Sequence, residues 1–470
     1  MHIVIKPAVD WHNGISLRLS LAEVETAPGS PGKIPGAVQL AGEGRAVVSL
    51  GAQEKLSEET LRQTGGGVAK WLRQYKVEKA AVSLEDLEGL PLDQPVRAFC
   101  EGLLLGDYRF TQWKTKNNEK VDTTVELLAA GDNAAVVEQL RQADIIAAAV
   151  NLARDLGNQP PNVLNPVTLA QRAVQIAQES GLKIRVLDDQ ELAAMGAGAL
   201  VAVGKASPTP ARLIVLEYPG KGKGAGQPPV VVVGKGITFD TGGYSIKAKL
   251  GMVGMKFDMD GGAAVIGLMQ AVAHLKPLTP VVGIIPAAEN MISGDAYRPN
   301  DVVTTLSGQT VEIISTDAEG RMVLADGLTF AQREYSPRTL IDIATLTGGA
   351  MVALGRVRGA LMGNDPGLQE ALVTAGERAH ERLWRLPLDE EYFDLIKSDT
   401  ADFKNSAGVA VASAIVGGTF LKQFVDEDTS WAHIDIAAVH KNTAPAAYGP
   451  AGASGFGVRL LLEYIRGMDG

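Results

Sequence analysis

Apolar positions follow short-period patterns in the first third of the chain and longer, more regular ones after it. "HIVIKPAV" (2–9) and "AAVSL" (80–84) read as strands. "SEETLRQTGGGVAKWLRQYK" (57–76) reads as a helix that opens on a Ser57 cap, with Glu58 and Glu59 in its first turn. From Asp132 to Gly157 the period is helical: Val136, Leu140, Ala143, Ala147 and Val150 recur at steps of three and four. Asp132 is expected to cap its start and Gly157 its end. "GNQPPNVLNP" (157–166) then carries three prolines, which forbid a continuing helix.

Beyond that point, "RLIVLEY" (212–218), "PVVVVGKG" (229–236), "PVVGIIPA" (280–287) and "TLIDIATL" (339–346) are continuous apolar runs rich in β-branched residues. Such runs suit strands buried on both faces. Helical stretches such as "GGAAVIGLMQAVAHL" (261–275) and "RMVLADGLTFAQRE" (321–334) separate several of them. "DVVTTLSGQTVEII" (301–314) reads as a hairpin around Ser-Gly-Gln, and "GKGKGAGQPP" (220–229) as a polar surface loop. The fold class expected is α/β in two domains. A smaller N-terminal α/β domain (1–131) leads through a connecting helix (132–157) into a larger C-terminal domain (158–470). The latter has a central, mainly parallel sheet covered by helices.

At 470 residues the chain is too long for one ordinary core, which agrees with that division. A net charge of −10 disfavours non-specific nucleic-acid binding, although it leaves room for a local basic groove. Cys100 is the only cysteine, so neither an intrachain disulfide nor a thiolate metal cluster can form. The opening "MHIVIKPAVDWHNG" lacks the basic-then-apolar pattern of a signal peptide. No charge-free apolar window reaches about 18 residues. The expectation is a cytoplasmic protein with no membrane partner.

The chemistry concentrates in "ISTDAEGRMVLADGL" (314–328), where a strand-like run gives way to a helix. In extended chain Asp317 and Glu319 point the same way; on a helix they diverge by about 200°. Two carboxylates facing one spot repel unless a cation, Arg321 or a metal ion, lies near them. "VVVVGKGITFDTGGYSIK" places Lys235, Asp240 and Lys247 after another strand, and "MKFDMDGGAAVIG" places Asp258 before a helix. Ligands in open α/β sheets bind beyond the carboxyl ends of strands, where all these residues fall. Asp240, Asp258, Asp317 and Glu319 together would carry four negative charges, which two divalent cations neutralise; such sites suit hydrolysis. Taken alone, each residue is more often part of a solvated helix start or a surface turn than a ligand, and the combination carries the hypothesis. "GKG" does not have P-loop spacing and no Ser or Thr follows its lysine.

These motifs resemble the leucyl aminopeptidase family of di-metal exopeptidases, including its peptidase B branch. "STDAEGR" (315–321) matches the family signature, with Ser315 where Asn is usual. "GKGITFDTGGYSIK" (234–247), "MKFDM" (255–259), "IDIATLTGG" (341–349), "WRLPLDEEY" (384–392) and the C-terminal "GFGVRLLLEY" also look like family segments. The resemblance implies an aminopeptidase with two divalent metal ions per subunit. An all-oxygen donor set plus one amine suits Mn, Zn, Co or Mg. It implies Lys235, Asp240, Asp258 and Glu319 as ligands of the tighter metal, and Asp240, Asp317 and Glu319 as ligands of the exchangeable one. Lys247 would stabilise the oxyanion, and Arg321 would hold a bicarbonate ion as general base, helped by the backbone around Leu346. Met255, Thr345 and Gly348 would line the pocket for the N-terminal side chain of a peptide substrate. The resemblance also implies a homohexamer.

Asp260 stands where the family usually has a small neutral residue. Turned inward it would add a fifth negative charge; the helical spacing from Asp258 favours an outward, first-turn acid. None of the six histidines lies in these motifs, and His433 in "WAHIDIA" reads as a packed structural residue. Two other readings stand beside the enzyme: a scaffold or DNA-binding regulator that keeps the fold, and an unrelated phosphate-binding α/β protein.

Overall fold

The computed structural model describes residues 1–7, 14–20, 34–42, 44–116, 121–129 and 133–469. They divide into two compact units, Met1–Asn151 with Asn442–Ala451, and Leu152–Lys441 with Gly452–Gly470. This differs from the boundaries 1–131, 132–157 and 158–470 in two respects. The long helix, Ala134–Asn158, is shared between the units rather than standing between them. The segment Asn442–Ala451, read as part of the second domain, belongs to the first.

In the first unit a six-stranded sheet among the described residues runs in the order His2–Pro7, Thr124–Ala129, Lys79–Ser83, Ile15–Ser20, Arg45–Ser49, Val38–Leu40. Every neighbouring pair is parallel except the last. The helix Glu58–Gln74 opens as its sequence requires: Ser57 accepts from the Thr60 N–H, and the Thr60 hydroxyl accepts from the Ser57 N–H. Asp132, expected to cap the long helix, and residues 8–9 of the first strand lie outside the described residues.

The second unit is built on a nine-stranded sheet. Its path is Leu383–Arg385, Gly359–Gly363, Trp431–Asp435, Thr339–Ala344, Val230–Gly234, Val281–Asn290, Arg212–Tyr218, Lys183–Leu187, with Gly236–Asp240 also pairing with Val281–Asn290. The four strands from Trp431–Asp435 to Val281–Asn290 are mutually parallel. Antiparallel pairs lie to either side of them. The run of four valines at Val230–Val233 is explained by burial on both faces. Val233 meets the helix Glu319–Tyr335 at Gly327, while Gly234, on the alternate face, lies against Val265 of the helix Asp260–Leu275. The hairpin is present as Val302–Thr304 paired antiparallel with Thr310–Glu312.

Gly157 does not cap the long helix; it lies inside it, one residue before the end. A Cβ at this position would fall 2.1 Å from Asp260 Oδ1, so the glycine serves close packing rather than helix termination. Among the described residues no helix is long and apolar enough to cross a membrane.

Candidate active site

The parallel strands end side by side, and the residues just beyond or at those ends meet. Lys235 follows Val230–Gly234. Its Nζ lies 2.8 Å from Asp258 Oδ2 and 2.9 Å from Glu319 Oε1, and donates to the Thr345 carbonyl at 2.9 Å. Gly320 makes this approach possible, since a Cβ there would sit 2.6 Å from the Lys235 ammonium. Asp258 lies between the short turn Met255–Phe257 and the helix Asp260–Leu275, held by the Thr345 hydroxyl at 2.8 Å. Glu319 opens the helix Glu319–Tyr335, where the helix dipole favours an acid.

Asp240 ends the strand Gly236–Asp240 and accepts from the Gly242 N–H at 2.8 Å and from Asn290 Nδ2 at 2.7 Å. Lys247 reaches back to Asp240 at 2.7 Å and also contacts Asp317. Carboxylate oxygens of Asp240, Asp317 and Glu319 lie within 4.8 Å of one another. The five expected ligands and Lys247 therefore converge, drawn from segments far apart in sequence. Ser315 fills the role its side chain permits: its hydroxyl accepts from the Asp317 N–H at 3.2 Å.

The electrostatics follow from too many buried acids for two lysines. Burial, then the Glu319 charge, push Asp240 up to about 7. Burial likewise raises Asp258 well above the usual carboxylate range, and burial with the Glu319 charge raises Asp317. Glu319 is held low: burial opposes its charge, but Lys235 and Lys247 outweigh that. Burial would lower both lysines, yet the surrounding carboxylates hold each above its ordinary value. Glu319 Oε2 is buried without a hydrogen-bond donor, the kind of acceptor a cation satisfies. The residues present thus fit hard divalent ions with oxygen donors and one amine.

Arg321 is buried beside this cluster. Its Nη1 donates to the Asn405 carbonyl at 2.8 Å, and its Nε has no partner among the described residues. Burial lowers it to about 10, with Glu319 and Asp435 only partly offsetting the loss of solvent. The Leu346 N–H donates to Asp435 Oδ1 at 3.1 Å, and the Thr347 hydroxyl to Oδ2 at 2.7 Å. Met255 is half-buried at the start of its turn, Thr345 is buried with its hydroxyl on Asp258, and Gly348 is exposed at the start of the helix Gly348–Leu354.

Asp260 corrects the expectation of an outward, first-turn acid. It is turned away from the carboxylate cluster but is buried, 3.0 Å from His440 Nδ1. His433 is fully buried as a structural residue, its Nδ1 2.5 Å from Asp342, which also accepts from Trp431 Nε1 at 2.8 Å. Sequence reasoning missed Asn290, Asn405 and Asp435. Asn405 Oδ1 accepts from the Ile314 N–H at 2.8 Å, and its Nδ2 donates to the Ser315 carbonyl at 2.7 Å. Asn290 and Asp435 sit at strand carboxyl ends, which was the available signal.

Comparison with known proteins gives the chain its class. Residues 151–462 match the catalytic domain of the cytosol aminopeptidase family, and residues 45–117 match its N-terminal domain. The chain belongs to that family and is an aminopeptidase, a hydrolase of the exopeptidase type. It is 47% identical over 429 residues to a probable cytosol aminopeptidase of Geotalea uraniireducens (strain Rf4), covering 90% of this chain and 85% of that protein. It is 46% identical over 423 residues to a probable cytosol aminopeptidase of Geobacter sulfurreducens, covering 89% of this chain and 84% of that one. Among solved structures it resembles the bottromycin maturation enzyme BotP in complex with Mn, with a TM-score of 0.87 and 32% identity over 97% of this chain and 100% of that one.

Proposed function

We propose that this aminopeptidase releases leucine-like N-terminal residues from peptides at a two-metal centre. The observation that supports this most directly is the convergence of Lys235, Asp240, Asp258, Asp317 and Glu319 beside Lys247 and Arg321. Lys235, Asp240, Asp258 and Glu319 would hold one ion, and Asp240, Asp317 and Glu319 the other. Bound there, divalent cations supply an acidified water and Lewis-acid polarisation of the scissile carbonyl. Manganese is supported by the Mn in a related solved structure, and zinc by the donor set. Lys235 can serve as a ligand only after giving up its proton, which the carboxylates alone oppose.

The carboxylates around Lys247 hold its proton, and the role proposed for it needs that charge. It is the donor best suited to the oxyanion that develops as the carbonyl is attacked. Arg321 cannot accept a proton at ordinary pH, so it would act through a bound bicarbonate, which supplies a proton acceptor. Its unpartnered, buried Nε fits an anion. Met255, Thr345 and Gly348 are assigned to the pocket for the first side chain by resemblance. The same resemblance supports a cytoplasmic homohexamer acting on peptides, without nucleic-acid or membrane partners.

The acidic centre favours a free terminal amine over an acylated one. Leu-p-nitroanilide should be cleaved and N-acetyl-Leu-p-nitroanilide should resist; efficient cleavage of the acetylated substrate overturns the aminopeptidase assignment of this site.

A further inference from the structure

The acidic cluster rests on two separate supports, and one of them is built around Thr316. This residue stands between Ser315 and Asp317 and is buried. Its carbonyl accepts from the Tyr297 hydroxyl at 2.8 Å and from Asn290 Nδ2 at 2.9 Å. Its N–H donates to Ser245 Oγ at 3.1 Å. Its hydroxyl donates to the Gly242 carbonyl at 2.6 Å and accepts from the Ser245 N–H at 2.8 Å. Gly242 and Ser245 belong to the loop that runs from Asp240 to Lys247. A Cβ at Gly243 would fall 2.8 Å from Thr316 Oγ1, so that loop lies directly on Thr316. Tyr297 follows the strand Val281–Asn290 and is buried. A buried tyrosine needs an acceptor for its hydroxyl, and here the acceptor is the turn that carries Asp317 rather than its own loop.

The other support is Thr345. Its carbonyl accepts from Lys235 Nζ at 2.9 Å, and its hydroxyl donates to Asp258 Oδ1 at 2.8 Å and to the Asp258 carbonyl at 3.1 Å. Among the described residues, none of the Thr316 or Tyr297 hydroxyl bonds reaches Lys235 or Asp258, and none of the Thr345 hydroxyl bonds reaches Asp317.

We infer that Tyr297 and Ser245, acting through Thr316, are positioning residues for the exchangeable ion alone, while Thr345 positions the tighter one, so that the two affinities are set independently. The inference rests on the two-metal reading above. Asp317 is the one ligand proposed for the exchangeable ion that the tighter ion does not share, and its side chain is 38% exposed. An exposed carboxylate binds well only where its backbone is already fixed, because ordering it on binding costs affinity. Tyr297 fixes that backbone from the carbonyl side and Ser245 from the N–H side. Asn290 differs from both, since it also donates to Asp240, which the two ions share.

The test titrates Mn into chelated wild type and into Tyr297→Phe, Ser245→Ala and Thr345→Val. Calorimetry follows each bound equivalent, and Leu-p-nitroanilide cleavage is read at limiting and at saturating Mn. Tyr297→Phe keeps the buried ring and removes one hydroxyl, and Ser245 is a half-buried loop residue, so both variants are expected to fold. Each should weaken the second Mn equivalent by about 10–100-fold, the range for groups that orient ligands, and leave the first unchanged. Thr345→Val should weaken the first. Cleavage by Tyr297→Phe should be lost at limiting Mn and return at saturating Mn, which a general structural defect would not do. Tyr297→Phe and Ser245→Ala proteins that bind both equivalents as wild type does, or that lose both in equal measure, overturn the inference. So does cleavage that stays low once both equivalents are bound. Loss of the fold in both variants also overturns it, since Thr316 would then hold the fold rather than an ion. A wild type that binds fewer than two Mn counts instead against the two-metal reading.

Discussion

Asn290 donates to Asp240 at 2.7 Å, and through the same Nδ2 to the Thr316 carbonyl at 2.9 Å. One amide thus ties the strand end that carries Asp240 to the turn that carries Asp317, setting the spacing of two proposed metal ligands. Replacing Asn290 by Ala should lower metal affinity by about 10–100-fold, the range for groups that orient ligands. Isothermal titration with Mn would measure it, and unchanged affinity would show that the turn holds itself.

Lys247 and Arg321 should separate by their response to bicarbonate. On the proposed role, Lys247→Ala removes a donor to the developing oxyanion, and kcat should fall about 10²–10³-fold with little change in binding. On the proposed role, Arg321→Ala removes only the holder of a bound bicarbonate, so added bicarbonate should partly restore that variant and leave Lys247→Ala unchanged. Identical responses would contradict the two roles.

Much of this cluster is legible in sequence because the residues that meet in it are acids and lysines placed where apolar strand runs end. Such positions are unusual for charges unless something at the sheet edge needs them. Asn290 and Asn405 are not legible in that way. They work through amide hydrogen bonds, Asn290 to Asp240 and the Thr316 carbonyl and Asn405 to backbone, and an uncharged asparagine is common where a strand gives way to a turn. Asp260 defeats spacing arguments for a different reason. The helical angle correctly turns it from Asp258, but only the fold brings His440 to it and makes the turned-away face an interior one. The Asn442–Ala451 segment carries no local signal that it belongs with the first unit, since unit membership is decided by contacts distant in sequence. The strands, by contrast, were recognisable from the β-branched runs that burial on both faces requires.

Gly157→Ala should destabilise the protein by about 1–3 kcal/mol, as overpacking does, because the added Cβ would meet Asp260 Oδ1. Combining it with Asp260→Gly should cost less than the sum of the single changes, since the shortest clash is removed and the Ala453 Cβ contact at 2.9 Å remains. Thermal or chemical denaturation of the four proteins would show it; strict additivity would mean that the helix shifts to accept the methyl group.

The His433 pair gives a pH signature. Burial lowers the His433 pKa, but Asp342 outweighs it and holds the imidazole above its ordinary 6.5. A raised folded-state pKa adds stability that is fully present below the unfolded value and is lost as pH rises through the folded one. The Tm advantage of wild type over Asp342→Asn should therefore be largest below about pH 6.5 and shrink as pH rises. A gap that widens with pH would contradict the charged pair.

Hydrolysis is proposed to depend on two divalent ions held by Lys235, Asp240, Asp258, Asp317 and Glu319. The most direct measurement titrates Mn or Zn into exhaustively chelated protein, following Leu-p-nitroanilide cleavage and bound metal by mass spectrometry together. Activity should be absent at the start and rise to full value as the bound metal approaches two ions per chain. Full activity in protein with no detectable metal would contradict the account.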